Sequence, residues 1–398
     1  MRVLHALGHA LAVAGSMTWA ILWALILGFI LASVVQAVVR RQSIVRRLGD
    51  GRPSTLAVAT GLGAASSSCS YAAVALARSL FVKGASFISA MTFDIASTNL
   101  VVELGIILAL LMGWQFTLAE FVGGPIMIVL LAVIFRIFLR QRLLAEARTQ
   151  AERGIGGSME GHAAMDMSIE ETGSFWRGLS SKKGFTSVSH IFVMEWAAVL
   201  RDIVLGLLIA GAIAAWVPDS FWQRFFFVDH PTGAKLWGPI VGPLVSVLSF
   251  VCSIGNVPLA AVLWNGGISF GGVVAFIFAD LIIIPILNIY RKYYGMRMMI
   301  FILATFYIAM VVAGYVVEFT FGGLGLIPTS RTAKVGTSAI TWNYTTILNI
   351  IFIIVGSALV LRFVRTGGLP MLRMMGGSPD QAMEHDYRAD PPRPGART

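Results

Sequence analysis

The sequence predicts an all-α, polytopic membrane protein. Its expected plan is an inverted repeat with two re-entrant or broken helical hairpins and an extra C-terminal span. Three observations carry this prediction. Of 398 residues, 57% are hydrophobic and 13% charged, against roughly 25% charged in soluble domains. Several apolar runs reach the ~20 residues that cross hydrocarbon, without the short alternating segments of a barrel. The chain also matches itself at a shift of 183: from Cys69 to Leu104, 12 of 36 positions are identical to Cys252–Leu287 without a gap.

Nine apolar segments follow in order: Leu11–Val39, Thr55–Val82, Phe87–Gly113, Phe116–Leu139, Trp196–Trp216, Leu236–Trp264, Phe270–Tyr290, Met298–Phe321 and Trp342–Phe363. The first is too long for a cleaved leader and reads as a retained span. Residues 1–139 are the expected first half, 196–321 the second and 322–366 the extra span. Residues 140–195, rich in Gly, small and charged residues, read as a flexible cytoplasmic linker. Residues 367–398 read as a disordered cytoplasmic tail.

Four basic clusters follow the first, fourth, seventh and ninth segments and hold 22 of the 30 basic residues. The positive-inside rule wants all four in the cytoplasm, which puts the N-terminus outside. Three crossings from the first cluster to the second, and again from the second to the third, would split them across the membrane. The conflict vanishes if one segment in each trio enters and returns on one side. Thr55–Val82, interrupted by "SSSCSY", and Leu236–Trp264, interrupted by "CSIGNVP", are the candidates, with Pro258 breaking the second locally. Non-helical backbone survives at such depth only when buried in protein or lining a cavity. With the halves oppositely oriented, this is the repeat architecture of many secondary transporters. The net charge of +10 thus reads as topology and lipid contact, not nucleic-acid binding.

Polar side chains at depth are the candidate site. At the first tip stand Ser66, Ser67, Ser68, Cys69 and Ser70, and at the second Cys252, Ser253 and Asn256. Tight helix packing by small residues is the alternative for the serines. "TFDIASTNLVVELG" adds Asp94, Ser97, Thr98, Asn99 and Glu103; its counterpart adds Asp280, with Pro285 and Asn288. An ionisable group at the bilayer centre costs about 2.5–3.5 kcal/mol on insertion scales, so these carboxyls should face a bundle interior or a wet cavity. There they would bind a solute or the proton that drives it. Asp94, Ser97 and Asn99 have a second reading, as caps of a half-helix beginning near Leu100.

Cys69 and Cys252 are equivalent under the repeat. As a pair they would suit a soft, thiophilic solute; singly they are small buried hydrophobes. His162, near methionines in the linker, has no metal-ligand spacing, and no metal or other cofactor is expected. No Walker motif and no nucleophile–base constellation is present, so the chain reads as a non-enzyme.

The stretches "GAASSSCSYAAVALARSLFVKGASF", "STNLVVELGIIL" and "CSIGNVPLAAVLWNGGISFGGVVAFIFADLIIIPI" resemble the bacterial predicted-permease family, which includes ArsP-type organoarsenical efflux permeases. The likeness covers both repeats. It implies a multi-pass inner-membrane permease, with export of trivalent organoarsenicals or another thiophilic metalloid as the associated substrate class, and it permits a thiol role for Cys69 and Cys252. The expected function is a secondary transporter exporting a small solute, with the proton as the candidate coupling ion. A passive channel and a membrane-embedded assembly subunit are the alternatives. Expected partners are the solute and membrane lipids, with a homo-oligomer left open.

Overall fold

The computed structural model describes residues 2–38, 48–49, 51–67, 70–152, 181–249, 253–331, 333, 342, 344–370 and 372. Among them are fifteen α-helices, one 3-10 helix and no strand. The first half holds α1 (Arg2–Val38), α2 (Pro53–Ser66), α3 (Ser70–Val82), α4 (Phe87–Asn99), α5 (Val102–Leu111), α6 (Trp114–Phe138) and α7 (Gln141–Glu152). The second holds α8 (Lys182–Trp216), α9 (Asp219–Phe225), α10 (Pro231–Ser249), α11 (Ser253–Gly266), α12 (Phe270–Phe278), a 3-10 turn (Ala279–Ile282), α13 (Ile284–Tyr294) and α14 (Met296–Gly323), and α15 (Tyr344–Arg365) follows.

Five stretches are long and apolar enough to cross a membrane: 7–31, α4 with α5, α6, α14 and α15. A sixth forms if α12 and α13, bent by 43° at their break, are one span. Among the described residues these account for six of the nine expected apolar segments, two of which are expected to fold back. Two of the other three are each split into two helices, and the third is only the end of α8, a 35-residue helix that begins well inside the expected linker. α7 likewise makes the linker's start helical. The linker's centre, with His162, and the tail beyond residue 372 lie outside the described residues.

The interrupted segments return to the end they started from. The Ser86 N–H, just before α4, donates to the Leu48 carbonyl, just before α2 (2.9 Å). Leu48, Ala59, Leu80, Ala85 and Phe93 share one apolar cluster, so the end of α3 lies beside the start of α2. The second half repeats the pattern. A Cβ on Gly272 would sit 2.7 Å from the Gly238 carbonyl carbon, and one on Gly266 would sit 2.9 Å from the Trp222 ring, which brings the end of α11 back to the chain just before α10. Local details recur at the same shift. Ser86 and Ser269 cap α4 and α12 by accepting from the N–H three residues on. Gly84 and Gly267 take φ of +107° and +112°, a region that favours glycine.

The two hairpin mouths lie at opposite ends of α14. Glu318, near its C-terminus, accepts from the Gly271 N–H at the start of α12 (2.6 Å), and the Tyr315 hydroxyl donates to the Leu236 carbonyl (2.6 Å). At its other end Arg297 approaches Glu146 of α7 (3.5 Å), and α7 straps the first mouth, where Arg78 donates to the Ala151 carbonyl (2.6 Å). The 28 residues of α14 span about 42 Å. α6 runs against it: Phe135 packs on Phe301 with ring centroids 5.5 Å apart, and a Cβ on Gly123 would sit 3.2 Å from a Val317 methyl. Arg136, Arg148, Arg291 and Arg297 gather at the first-mouth end, the basic end of the bundle. Beside these helices α1 packs against α8 and α15: Phe29 meets Trp196 at 5.1 Å, and the Asn349 amide donates to the Trp19 carbonyl (2.7 Å).

Small residues set the helix spacing. A Cβ on Gly63 would sit 2.6 Å from the Phe93 carbonyl oxygen and 2.9 Å from the Ala96 Cβ. Gly63→Ala is expected to lower stability by about 1–3 kcal/mol through overpacking, read as a fall in midpoint in thermal unfolding in detergent. Gly8→Ala, with nothing within 4 Å, should be neutral or mildly stabilising. A second prediction concerns the mouths. With both native cysteines replaced by serine, Lys83→Cys and Lys235→Cys should react with a membrane-impermeant maleimide from opposite faces of the membrane.

Candidate functional site

Three interruptions meet inside the bundle: the first hairpin tip, the break after Asn99 and the 3-10 turn at Asp280. α2 ends where Ser67 adopts a left-handed conformation (φ 41°, ψ 66°), and its N–H bonds back to the Gly63 carbonyl. α3 restarts at Ser70, whose hydroxyl donates to Asp280 Oδ2 (2.7 Å). The Asn99 amide, at the end of α4, donates weakly to Asp280 Oδ1 (3.4 Å). Two residues of the first half therefore converge on one carboxyl of the second, which has no accessible surface. Near it the Tyr290 hydroxyl of α13 donates to Asp94 Oδ2 (2.8 Å). Asp94 Oδ1, Asn99 Oδ1 and Ser67 Oγ are buried with no hydrogen-bond partner. Buried polar atoms are nearly always satisfied, so three orphans around one junction make it the candidate site.

The expected capping of a half-helix by Asp94, Ser97 and Asn99 is not what forms. α5 begins at Val102 with Val101 at its cap and no side-chain bond there. Ser97 and Thr98 instead donate to carbonyls of their own helix, Asp94 (2.8 Å) and Ile95 (3.2 Å). A hydroxyl three residues along a helix reaches the preceding turn more easily than an N–H beyond a break. Glu103 lies in the first turn of α5, suited to the positive helix end, and faces Gly28 of α1, away from the junction. In the second half, Asn256 donates to Ser246 Oγ (3.1 Å), and buried Ser253 opens α11. Pro258 does not break its helix: it sits in the second turn of α11 and removes only the bond that the Ile254 carbonyl would accept. Pro285 starts α13, and Asn288 is at the surface beside Arg291. Ser66 ends α2. Ser68, Cys69 and Cys252 lie outside the described residues.

Sequence reasoning passed over three groups. Tyr290 supplies the donor to Asp94, and Glu318 joins Ser269 at the start of α12. Glu120 of α6 is wholly buried, with neither carboxyl oxygen partnered. A lone acid in an apolar run was the available signal for Glu120 and Glu318; Tyr290 gave none. Among the described residues no group of three His, Cys, Asp or Glu could hold a metal ion.

Removing the donor to Asp94 leaves a buried carboxyl oxygen unsatisfied, at a cost of about 1–3 kcal/mol. Tyr290→Phe should therefore lower the unfolding midpoint, and the loss should shrink in an Asp94→Ala background. Equal losses in both backgrounds would show that the two groups act independently.

Comparison with known proteins places this geometry. The family described as "Predicted permease" matches residues 6–319. A curated protein of Mycobacterium tuberculosis (strain ATCC 25618 / H37Rv), named "Putative permease Rv2963", is 72% identical over 348 residues, covering 87% of this chain and 86% of its own. No solved structure matches.

Proposed function

The chain belongs to the predicted-permease family, and from that membership we propose that it is a secondary transporter that exports a small solute by alternating access. The coarse function is a membrane permease; the family and the apolar helices support that much. The finer reading rests on one observation, the Ser70–Asp280–Asn99 contact. It ties the first hairpin tip to the helix breaks of both halves and is surrounded by buried oxygens that lack donors. Such a junction offers a solute several hydrogen-bonding groups and no bulk water.

The halves are read as an inverted pair. The shared caps and positive-φ glycines at a constant shift support the duplication, and the two mouths at opposite ends of α14 support the inversion. The basic end faces the cytoplasm of a bacterial inner membrane, following the positive-inside rule. In each half-cycle one mouth admits solute while the other stays closed. Trivalent organoarsenicals and other thiophilic metalloids are the proposed substrates, with Cys69 and Cys252, equivalent under the repeat, as the soft ligands.

The test is flux in proteoliposomes, with phenylarsenite as probe and an imposed pH difference. Saturable, gradient-dependent transport is expected, and Ser70→Ala and Asp280→Asn should each reduce it at least about tenfold, the order of one lost charge-assisted hydrogen bond. Cys69→Ser and Cys252→Ser should abolish it for the arsenical. Unsaturable flux blind to the gradient would indicate a channel, and full activity in both serine variants would remove the thiol role.

A further inference from the structure

We propose that Glu120 carries the proton that drives transport, one residue per chain and distinct from the solute junction. This rests on the secondary-transporter reading. Glu120 stands on the face of α6 that also carries Gly123 and Gly124. A Cβ on Gly123 would lie 2.9 Å from the Phe278 ring, and one on Gly124 would lie 3.1 Å from the Leu100 Cγ. Phe278 and Leu100 flank the two helix breaks, so this face of α6 covers both interruptions at once. One turn away, Phe116 packs on Trp264 and Phe270, and Phe270 on Phe321, with centroids 4.7–5.4 Å apart. Glu120 thus lies between an aromatic cap at the second-mouth end and the Asp280 junction, within electrostatic range of Asp280.

Both its carboxyl oxygens are buried and unpartnered. The charged and titratable groups on the elements packed against α6 are otherwise engaged. Asp94 of α4 takes the Tyr290 hydroxyl, Glu103 of α5 faces α1, and Glu318 of α14 takes the Gly271 N–H. The basic residues on α6 and α14 within the described chain, Arg136 and Arg297, stand at the basic end. Among the described residues no neighbour supplies a counter-charge or a donor. A metal ion would need several donors, and no such group is present among the described residues. A proton needs one oxygen. The position matching Glu120 on α14 is apolar either way: Ile302 counted from the positive-φ glycines Gly113 and Gly295 that precede α6 and α14, and Leu303 at the shift of 183, so the site occurs once. Like charges on Glu120 and Asp280 oppose each other. Proton binding at the first therefore changes the field at the second, and occupancy of the two sites is linked.

Infrared difference spectra of the purified protein in lipid, taken between pH values, read carboxyl protonation directly. A protonated-carboxyl band that follows pH is expected in the wild type, absent in Glu120→Gln and displaced in Glu120→Asp. With phenylarsenite as probe, Glu120→Gln should retain solute–solute exchange while its net flux loses at least tenfold of its response to an imposed pH difference. A merely structural residue would lower both. If Glu120→Gln does not assemble, an unchanged band and unchanged pH response in Glu120→Asp overturn the proposal. If the wild type responds to the pH difference and Glu120→Gln responds equally, this proposal alone fails. If the wild type ignores the pH difference, the transporter reading fails and takes this proposal with it.

Discussion

Interrupted helices leave backbone groups that hydrocarbon cannot satisfy, and this constraint organises the molecule. A break inside the bilayer is tolerated only where protein encloses it. Here the breaks after Asn99 and at 279–283 and the tip at Ser67–Ser70 converge, so each helps to enclose the others. The Ser70–Asp280 hydrogen bond is the shared fastening, since it links an element of the first half to one of the second. α4 and α12, which lead into the breaks, are accordingly buried almost throughout. The more exposed helices, such as α15, carry no break and present their apolar residues outward.

Close approach makes that enclosure possible. Lipid tails are as apolar as leucine, so helices in a membrane gain little from hiding apolar surface and depend on contact area. Gly63 against Phe93 and Ala96, and Gly272 against Gly238, bring each hairpin's entry leg onto the helix behind it. The same crowding leaves little space around the buried acids, and so their few hydrogen bonds are specific.

Much of this was legible in the sequence. The duplication pairs the two interrupted segments, and Ser86 and Ser269, equivalent under it, do the same work 183 residues apart. Clusters of polar residues in apolar runs pointed to Ser70, Asn99 and Asp280. What escaped had no periodic or repeated signal. Glu120 has an apolar residue as its counterpart, and Tyr290 reads as one aromatic among several at a segment end. Asp94, Ser97 and Asn99 were legible as polar but not as to direction, because hydroxyls can bond backward within their own helix as readily as forward across a gap. Hydropathy records how apolar a run is, not whether it crosses or folds back, and α8 hides its apolar portion in a much longer helix.

α14 reaches both mouths, through Glu318 at one end and, by way of α7, through Arg297 at the other. A stiff rod with a load at each end behaves as a seesaw: rocking it about its middle lowers one side as it raises the other. The antiparallel α6, packed along it from Gly123 to Phe135, would supply the pivot. Mutual exclusion of the two openings would then need no signal passed between them, because a single beam cannot dip at both ends.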